Sequence, residues 1–357
     1  MAKALRKTLP KDLPQLMKAA AQSGDYREVH AALETCAVDA RGGHADGTAL
    51  MMSECTPELA RWLVARGLDV NAADKHGQTA LHQSARARFF HSLPVETLLA
   101  LGADVHAITN DGRTPLHAAA DGKHLHAVEL LVRNGAQVDS RTRDGLTPLE
   151  YALLRMTNLD FPAMVLVVEA LLRAGAEVSV RAREFVEVAA KRFEFHRASI
   201  VADKVEALAE ACAVLCALAG VTAPGPRRVH DGTSPIVATG ATWQARHAEL
   251  WDLLVPSSGA CRTVQGEVIR IAGRISDEIH RNGGANWDAD YRAMLQALAV
   301  HASSHAALDD ADQTALRAAI GQLPQDAEAT RDLARLAVAW VDRNPTPLPL
   351  APPGYRR

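Results

Sequence analysis

Residues Asp111-Gly-Arg-Thr-Pro-Leu-His-Ala-Ala-Ala120 decide the fold. The Asp-Gly pair supplies the positive-φ position of a tight turn. Thr114 then stands where a side-chain oxygen caps a helix. Pro115 falls at the first helical position, where a missing N–H costs nothing. The run Ala118-Ala119-Ala120 lets a neighbouring helix approach closely. The pattern returns in Asp46-Gly-Thr-Ala-Leu-Met51, His76-Gly-Gln-Thr-Ala-Leu-His82 and Asp144-Gly-Leu-Thr-Pro-Leu149. Its threonines lie at 48, 79, 114 and 147, so the spacings are 31, 35 and 33 residues.

A second register runs in phase with the first. Gly67-Leu-Asp-Val-Asn, Gly102-Ala-Asp-Val-His, Gly135-Ala-Gln-Val-Asp and Gly175-Ala-Glu-Val-Ser each follow an apolar helical stretch and supply a left-handed helix end. Together the two motifs resemble the ankyrin repeat, with its period of about 33 residues. The resemblance covers residues 13–220. It implies an all-α fold, a solenoid of helix-turn-helix repeats with hairpin-like turns, stacked because one unit cannot bury its own apolar face. Residues 13–35 read as a helix pair forming a starting cap, and 183–220 as a degenerate closing repeat. The first full unit is short, the second carries the insert Arg86-Ala-Arg-Phe-Phe-His91, and the fourth is stretched by Met156-Thr-Asn-Leu-Asp-Phe-Pro162.

The expected organisation is a repeat solenoid over 1–222, a linker over 223–242 rich in Pro, Gly, Thr and Ser, a small helical bundle over 243–342 and a Pro-rich, extended or disordered tail over 343–357. In the bundle one helix spans about 262–281. Val264, Val268, Ile271, Ile275 and Ile279 form its buried stripe, and Glu267, Arg270, Arg274, Asp277 and Arg281 the opposite polar one. Further helices are expected to about 305, over 311–320 and over 326–341.

Composition excludes several functions. The chain has 357 residues, a formal net charge of -3 and no half with a basic excess, which argues against nucleic acid as partner. No run approaches the roughly 18 apolar residues of a membrane span, and no apolar stretch follows the basic N-terminus as in a signal peptide. Five cysteines, an odd number, argue against a disulfide framework and for a reducing, cytoplasmic setting. Arg outnumbers Lys heavily, a bias of GC-rich bacterial genomes.

Few residues suggest chemistry. His82 and His117 occupy the His position of the repeat signature, where the resemblance implies a bond to turn backbone. His124 and His126 lack converging ligands, and Cys212 and Cys216 read as core thiols. His301 and His305, at i,i+4, are the candidate metal pair, without the glutamate of a metalloprotease motif. Glu267, Asp277, Glu278 and His280 could serve acid-base chemistry, but the interleaved arginines favour a salt-bridged face. Trp243, Trp251, Trp287 and Trp340 read as bundle anchors. No phosphate loop, dinucleotide fingerprint or nucleophile elbow is present, so no cofactor and no catalytic residue are expected.

The resemblance implies a concave surface lined by turn tips and first helices. On this chain the tips are Lys75, His76 and Gln78; Asn110 and Arg113; and Arg141, Arg143 and Leu146, with Phe89 and Phe90 of the insert as an apolar anchor. This row is locally basic, so the expected partner is a protein with an acidic surface. The expected function is a protein-binding module, as a bacterial immunity or inhibitor protein or as a scaffold. The alternatives are an enzyme with a catalytic or metal-binding C-terminal domain recruited by the repeats, and a secreted host-directed effector.

Overall fold

The computed structural model describes residues 5–86 and 93–355. It is an all-α repeat solenoid followed along the chain by a helical bundle. Two compact units separate: one comprises residues up to Phe193 and Val201–Ala223, the other Glu194–Ile200 and Pro224–Arg357.

The first unit opens with α1 (Leu13–Ser23) and α2 (Arg27–Glu34), as the cap reading expects. The helix pair is also a crossover: β1 (Arg6–Thr8) pairs in parallel with β2 (Cys36–Arg41), which a two-residue turn could not allow. The first full repeat has only a 3₁₀ turn (Ala49–Met51) before α3 (Pro57–Ala65), which accounts for its shortness. Then come α4 (Ala80–Arg86) and α5 (Val95–Ala100), α6 (Pro115–Asp121) and α7 (Leu125–Arg133), and α8 (Pro148–Arg155) and α9 (Phe161–Arg173). The closing pair is α10 (Val180–His196) and α11 (Ala202–Ala219).

First helices stack on first helices, α4 on α6 on α8, and second helices on second, α7 on α9 on α11. The leucines at the signature position, Leu81, Leu116 and Leu149, are buried with Leu98, Leu131 and Leu171 of the second helices. Thr114 and Thr147 cap α6 and α8 as read, accepting from the amides of His117 and Glu150, and Pro115 and Pro148 occupy the first turns. Close stacking imposes a small residue at Gly122, where an added Cβ would lie 2.3 Å from the carbonyl oxygen of Arg86. Gly122→Ala is therefore expected to destabilise the first unit by about 1–2 kcal/mol through overpacking. A urea titration followed by circular dichroism measures it, and an unchanged midpoint would refute the packing argument.

The second unit contains α12 (Trp243–Leu254), α13 (Val264–Asn282), α14 (Ala289–Ala302), α15 (Asp310–Gln322) and α16 (Ala329–Arg343). Helix α13 is central, packing on α12, α14 and α16. Its apolar stripe Val264, Val268, Ile271, Ile275 and Ile279 is buried throughout, and Trp340 is the largest fully buried side chain.

Two segments read as irregular lie on this bundle. Ile236 is buried, and its amide donates to the Pro345 carbonyl at 2.7 Å. Arg227 donates to the carbonyls of Asp252 (2.6 Å) and Trp251 (3.1 Å), satisfying the open end of α12. The Pro-rich tail runs extended beside the start of α13, where the Val264 amide donates to the Leu348 carbonyl at 2.8 Å.

Candidate functional site

The turn tips form one hydrogen-bonded row. Within each turn an amide closes a hairpin: Asp74 to the Gln78 carbonyl, Thr109 to Arg113 and Thr142 to Leu146, at 2.8, 2.9 and 3.0 Å. Between turns, the Lys75 amide donates to the Ala45 carbonyl at 3.0 Å, Asn110 to His76 at 2.9 Å and Arg143 to Asp111 at 2.9 Å. Successive backbones approach so closely that a Cβ at Gly77, whose φ is 78°, would lie 2.7 Å from the Asn110 nitrogen.

The signature histidines lock this row from behind. The ring of His82 reaches the Arg113 carbonyl through Nε2 at 3.0 Å, and that of His117 reaches the Leu146 carbonyl at 3.0 Å. A carbonyl only accepts, so both rings carry their proton on Nε2. Each Nδ1 then accepts the amide of its own cap, Thr79 at 3.2 Å and Thr114 at 3.1 Å. Both histidines are backbone ties, as the signature implies. In the fourth repeat the buried Glu150 takes the same place, accepting from the Thr147 amide at 2.9 Å and from the Ser179 hydroxyl at 2.6 Å.

A repeated two-helix unit whose threonine-capped first helix, positive-φ turn glycine and inter-repeat histidine recur in register specifies a family. Comparison with known families matches residues 16–108 and 87–182 to ankyrin repeats, in 3 copies. Residues 16–182 are ankyrin repeats. No curated protein matches the chain. Ankyrin repeats serve in general as protein-protein interaction modules and are generally non-catalytic. The bundle lies outside the matched residues.

The ankyrin turn row presents most of the residues read from the signature. Lys75, His76, Asn110, Arg141 and Arg143 are exposed, and Gln78 and Arg113 half-buried. Three are partly committed to the fold: the Asn110 side-chain amide donates to the Lys75 carbonyl at 2.9 Å, Lys75 Nζ to the His44 carbonyl at 2.7 Å, and Arg141 Nη1 to the Gly145 carbonyl at 2.7 Å, 3.8 Å from the buried Glu150 carboxylate. Leu146 must be corrected. It is buried at 7% exposure; its carbonyl accepts from His117 and its amide donates to Thr142 Oγ1 at 3.2 Å, so its backbone is also committed. The anchor reading of Phe89 and Phe90 falls outside the described residues.

Arg113 is held rather than free. Its Nε meets Asp111 Oδ2 at 2.7 Å, its Nη1 donates to the Tyr151 hydroxyl at 3.2 Å, and its guanidinium lies 5.6 Å from the centre of the Tyr151 ring. Burial pushes the Asp111 carboxyl upward, but hydrogen bonds from Thr109 and Arg113 outweigh it and hold it below its ordinary value. Arg155 also lies against Tyr151, at 5.5 Å, and bonds the buried Asp121 at 2.9 Å, which Arg86 meets from another side at 3.3 Å. Tyr151, Asp121, Arg86 and Arg155 thus join the face unannounced by the turn motif. A signal existed: Arg86, Asp121 and Arg155 each end a first helix, one repeat apart.

The remaining candidates do not converge. Helix α14 ends at Ala302, and His305 sits beyond it with a φ of 57°, so the expected helix to about 305 stops short and His301 and His305 share no helical face. Among the described residues, no group of three or more His, Cys, Asp or Glu stands together as metal ligands would. Cys212 and Cys216 are buried on α11. Glu278 does not face solvent: it accepts from the Asn286 amide at 2.7 Å and from Asn282 Nδ2 at 2.9 Å, closing the α13–α14 loop. Glu267 and Arg270 are an ion pair as the spacing predicts, and a buried one, while Arg274, Asp277 and Arg281 of the same stripe are exposed. Arg270 Nε and Nη2 donate to the two Glu267 oxygens at 2.9 and 2.6 Å, and the Tyr355 hydroxyl adds a third bond at 2.6 Å.

Proposed function

We propose that this protein holds an acidic segment of a protein partner against its ankyrin turn row, as an inhibitor or scaffold rather than as an enzyme. The observation that carries the reading is the row of exposed cations Lys75, Arg141 and Arg143 on turns fixed in register by backbone hydrogen bonds. Arg181 extends it, its guanidinium reaching the Asp144 carbonyl at 3.5 Å. Arg143 has no side-chain partner among the described residues, so it can meet a carboxylate without breaking a bond. The Arg113–Tyr151–Arg155 stack supplies a rigid aromatic platform beside them, the residue types favoured at interface centres. Five buried, unbridged thiols support a reducing compartment as the setting.

The test is affinity capture from native lysate with the wild type and the triple variant Lys75→Ala, Arg141→Ala, Arg143→Ala, followed by titration of the captured protein. We expect affinity to fall by about 10–100-fold, mostly through rim-type cations, and the salt dependence of binding to weaken. Lys75 and Arg141 also bond the His44 and Gly145 carbonyls, so the melting temperature of the variant is measured alongside, and the single variant Arg143→Ala, whose side chain has no partner among the described residues, should leave it nearly unchanged. Arg113 is left intact because its loss would also release Asp111 and Tyr151. A partner retained equally by the triple variant would place binding elsewhere and overturn the reading.

A further inference from the structure

The first helices of the repeats end in charged residues that meet from one repeat to the next. Arg86 closes α4, Asp121 closes α6 and Arg155 closes α8. The Asp121 side chain is 6% exposed, and each of its oxygens takes one arginine. Oδ1 accepts from Arg155 Nε at 2.9 Å, and Oδ2 meets Arg86 Nε at 3.3 Å. Two guanidiniums are thereby held by one buried carboxylate, yet both side chains stay about half exposed, at 56% for Arg86 and 48% for Arg155. Tyr151 supports Arg155 further, its ring centre 5.5 Å from the guanidinium carbon. Arg192 of α10 extends the row by one repeat. Its Nη2 donates to the Met156 carbonyl at 2.7 Å and its Nε to Asn158 Oδ1 at 3.2 Å.

The donors and charges left unspent decide what this row can hold. Arg86 and Arg155 turn Nε to Asp121, so their Nη amines carry the free donors, and none has a hydrogen-bond partner among the described residues. Met156 and Asn158 offer Arg192 only neutral acceptors, and Asp160 close by is already paired with Lys123 at 3.2 Å. Three guanidiniums therefore face the single carboxylate of Asp121, and two positive charges stay uncompensated. A side-chain carboxylate brings one negative charge. A phosphate monoester brings about 1.5–2 and three acceptor oxygens, and the paired N–H donors of arginine match it bidentately. Arginines already fixed by a carboxylate and a ring lose little freedom on binding it.

We infer that this helix-end row is a clamp for a phosphorylated side chain of the protein partner. The phosphate oxygens accept from the Nη amines of Arg86 and Arg155, and Arg192 supplies the remaining charge. Asp121 touches no ligand and acts as the positioning residue, holding the two guanidiniums at one place. The inference rests on the turn-row reading in one respect, that the repeats hold the partner on the face formed by turn tips and first helices. The clamp itself uses none of the turn-tip cations.

Isothermal titration of the full chain with the peptide acetyl-Gly-Ala-phosphoserine-Ala-Gly-amide tests the clamp apart from the turn row, because the flanks of this probe carry no charge. Binding is expected to be at least about tenfold tighter than for the same peptide with glutamate in place of phosphoserine. Arg86→Ala and, separately, Arg192→Ala should each weaken it by about tenfold, the loss expected when charge-assisted bonds are removed. Arg86→Ala leaves Asp121 its bond from Arg155, and Arg192 is exposed, so both variants keep the fold, which circular dichroism verifies. No heat at millimolar phosphopeptide, equal affinity for the glutamate peptide, or wild-type affinity in both arginine variants overturns the proposal. Inorganic phosphate bound as tightly as the phosphopeptide overturns the assignment to a side chain. Loss of phosphopeptide binding in the triple variant Lys75→Ala, Arg141→Ala, Arg143→Ala would place the phosphate on the turn row and overturn the clamp. The turn-row reading is tested by capture of the partner, so each can fail without the other.

Discussion

Arg270→Ala is expected to destabilise the second unit by about 3–5 kcal/mol, the cost of leaving a buried carboxylate without its counter-charge. The Glu267 side chain is fully buried and that of Arg270 is 4% exposed, so water cannot replace the lost guanidinium. Burial pushes the Glu267 carboxyl upward, yet bonds from Arg270 and Tyr355 outweigh it and hold the group below its ordinary value. Removing the arginine reverses that balance. The pair itself need not be stabilising. A triple variant, Glu267→Leu with Arg270→Met and Tyr355→Phe, removes every charge and orphan hydroxyl together, and should recover to within about 1–2 kcal/mol of wild type. Urea titration read by tryptophan fluorescence reports mainly on this unit, because four of the five tryptophans, Trp243, Trp251, Trp287 and Trp340, belong to it and Trp62 alone lies in the first. A cost below about 1 kcal/mol for Arg270→Ala would show that solvent reaches the pair.

What was legible in the sequence followed from local rules repeated in register. The threonine spacing located the helices of the ankyrin repeats because each cap, proline and turn glycine acts within four residues of itself. The stripe from Val264 to Ile279 placed the buried face of α13 for the same reason. The failures share a different cause. Periodicity paired Glu267 with Arg270 correctly but could not tell that α13 has no solvent face there, since burial depends on the tail that brings Tyr355 across it. Leu146 occupies a tip position in the motif, yet it is buried and its carbonyl is taken by His117 from the preceding repeat, a contact between repeats that the motif within one repeat does not encode. The parallel pairing of β1 with β2 joins a three-residue strand to one beyond two helices, and so short a strand carries no readable alternation.

Between pH 7 and pH 5 the ankyrin unit is expected to lose about 2 kcal/mol of stability through His117 alone. The ring is fully buried, and burial, only partly opposed by its bond to the Leu146 carbonyl, pushes its pKa down to about 4. The geometry gives the reason: Nδ1 accepts the Thr114 amide, so a proton placed there would face a donor. In the unfolded chain the same imidazole titrates near about 6.5. The unfolded state therefore binds more protons between these values, and stability rises with pH across that window. The contribution is fully present above the unfolded value and lost as pH falls toward about 4, reaching about 3 kcal/mol in total. Burial likewise lowers His82, and it adds loss in the same direction. His247 and His301 of the second unit are also lowered by burial, so the whole-chain slope cannot be assigned to one ring. The comparison that isolates it is His117→Gln, which removes the titration and costs stability at pH 7 through its lost bonds. Its urea midpoint should fall less steeply than that of the wild type between pH 7 and 5. That window precedes protonation of carboxylates such as Asp111 and Asp160, which are held below their ordinary values and give up their stability only at lower pH. Equal slopes for the two proteins would mean that the imidazole can be protonated without breaking the repeat-to-repeat tie, contrary to the bond pattern at Thr114 and Leu146.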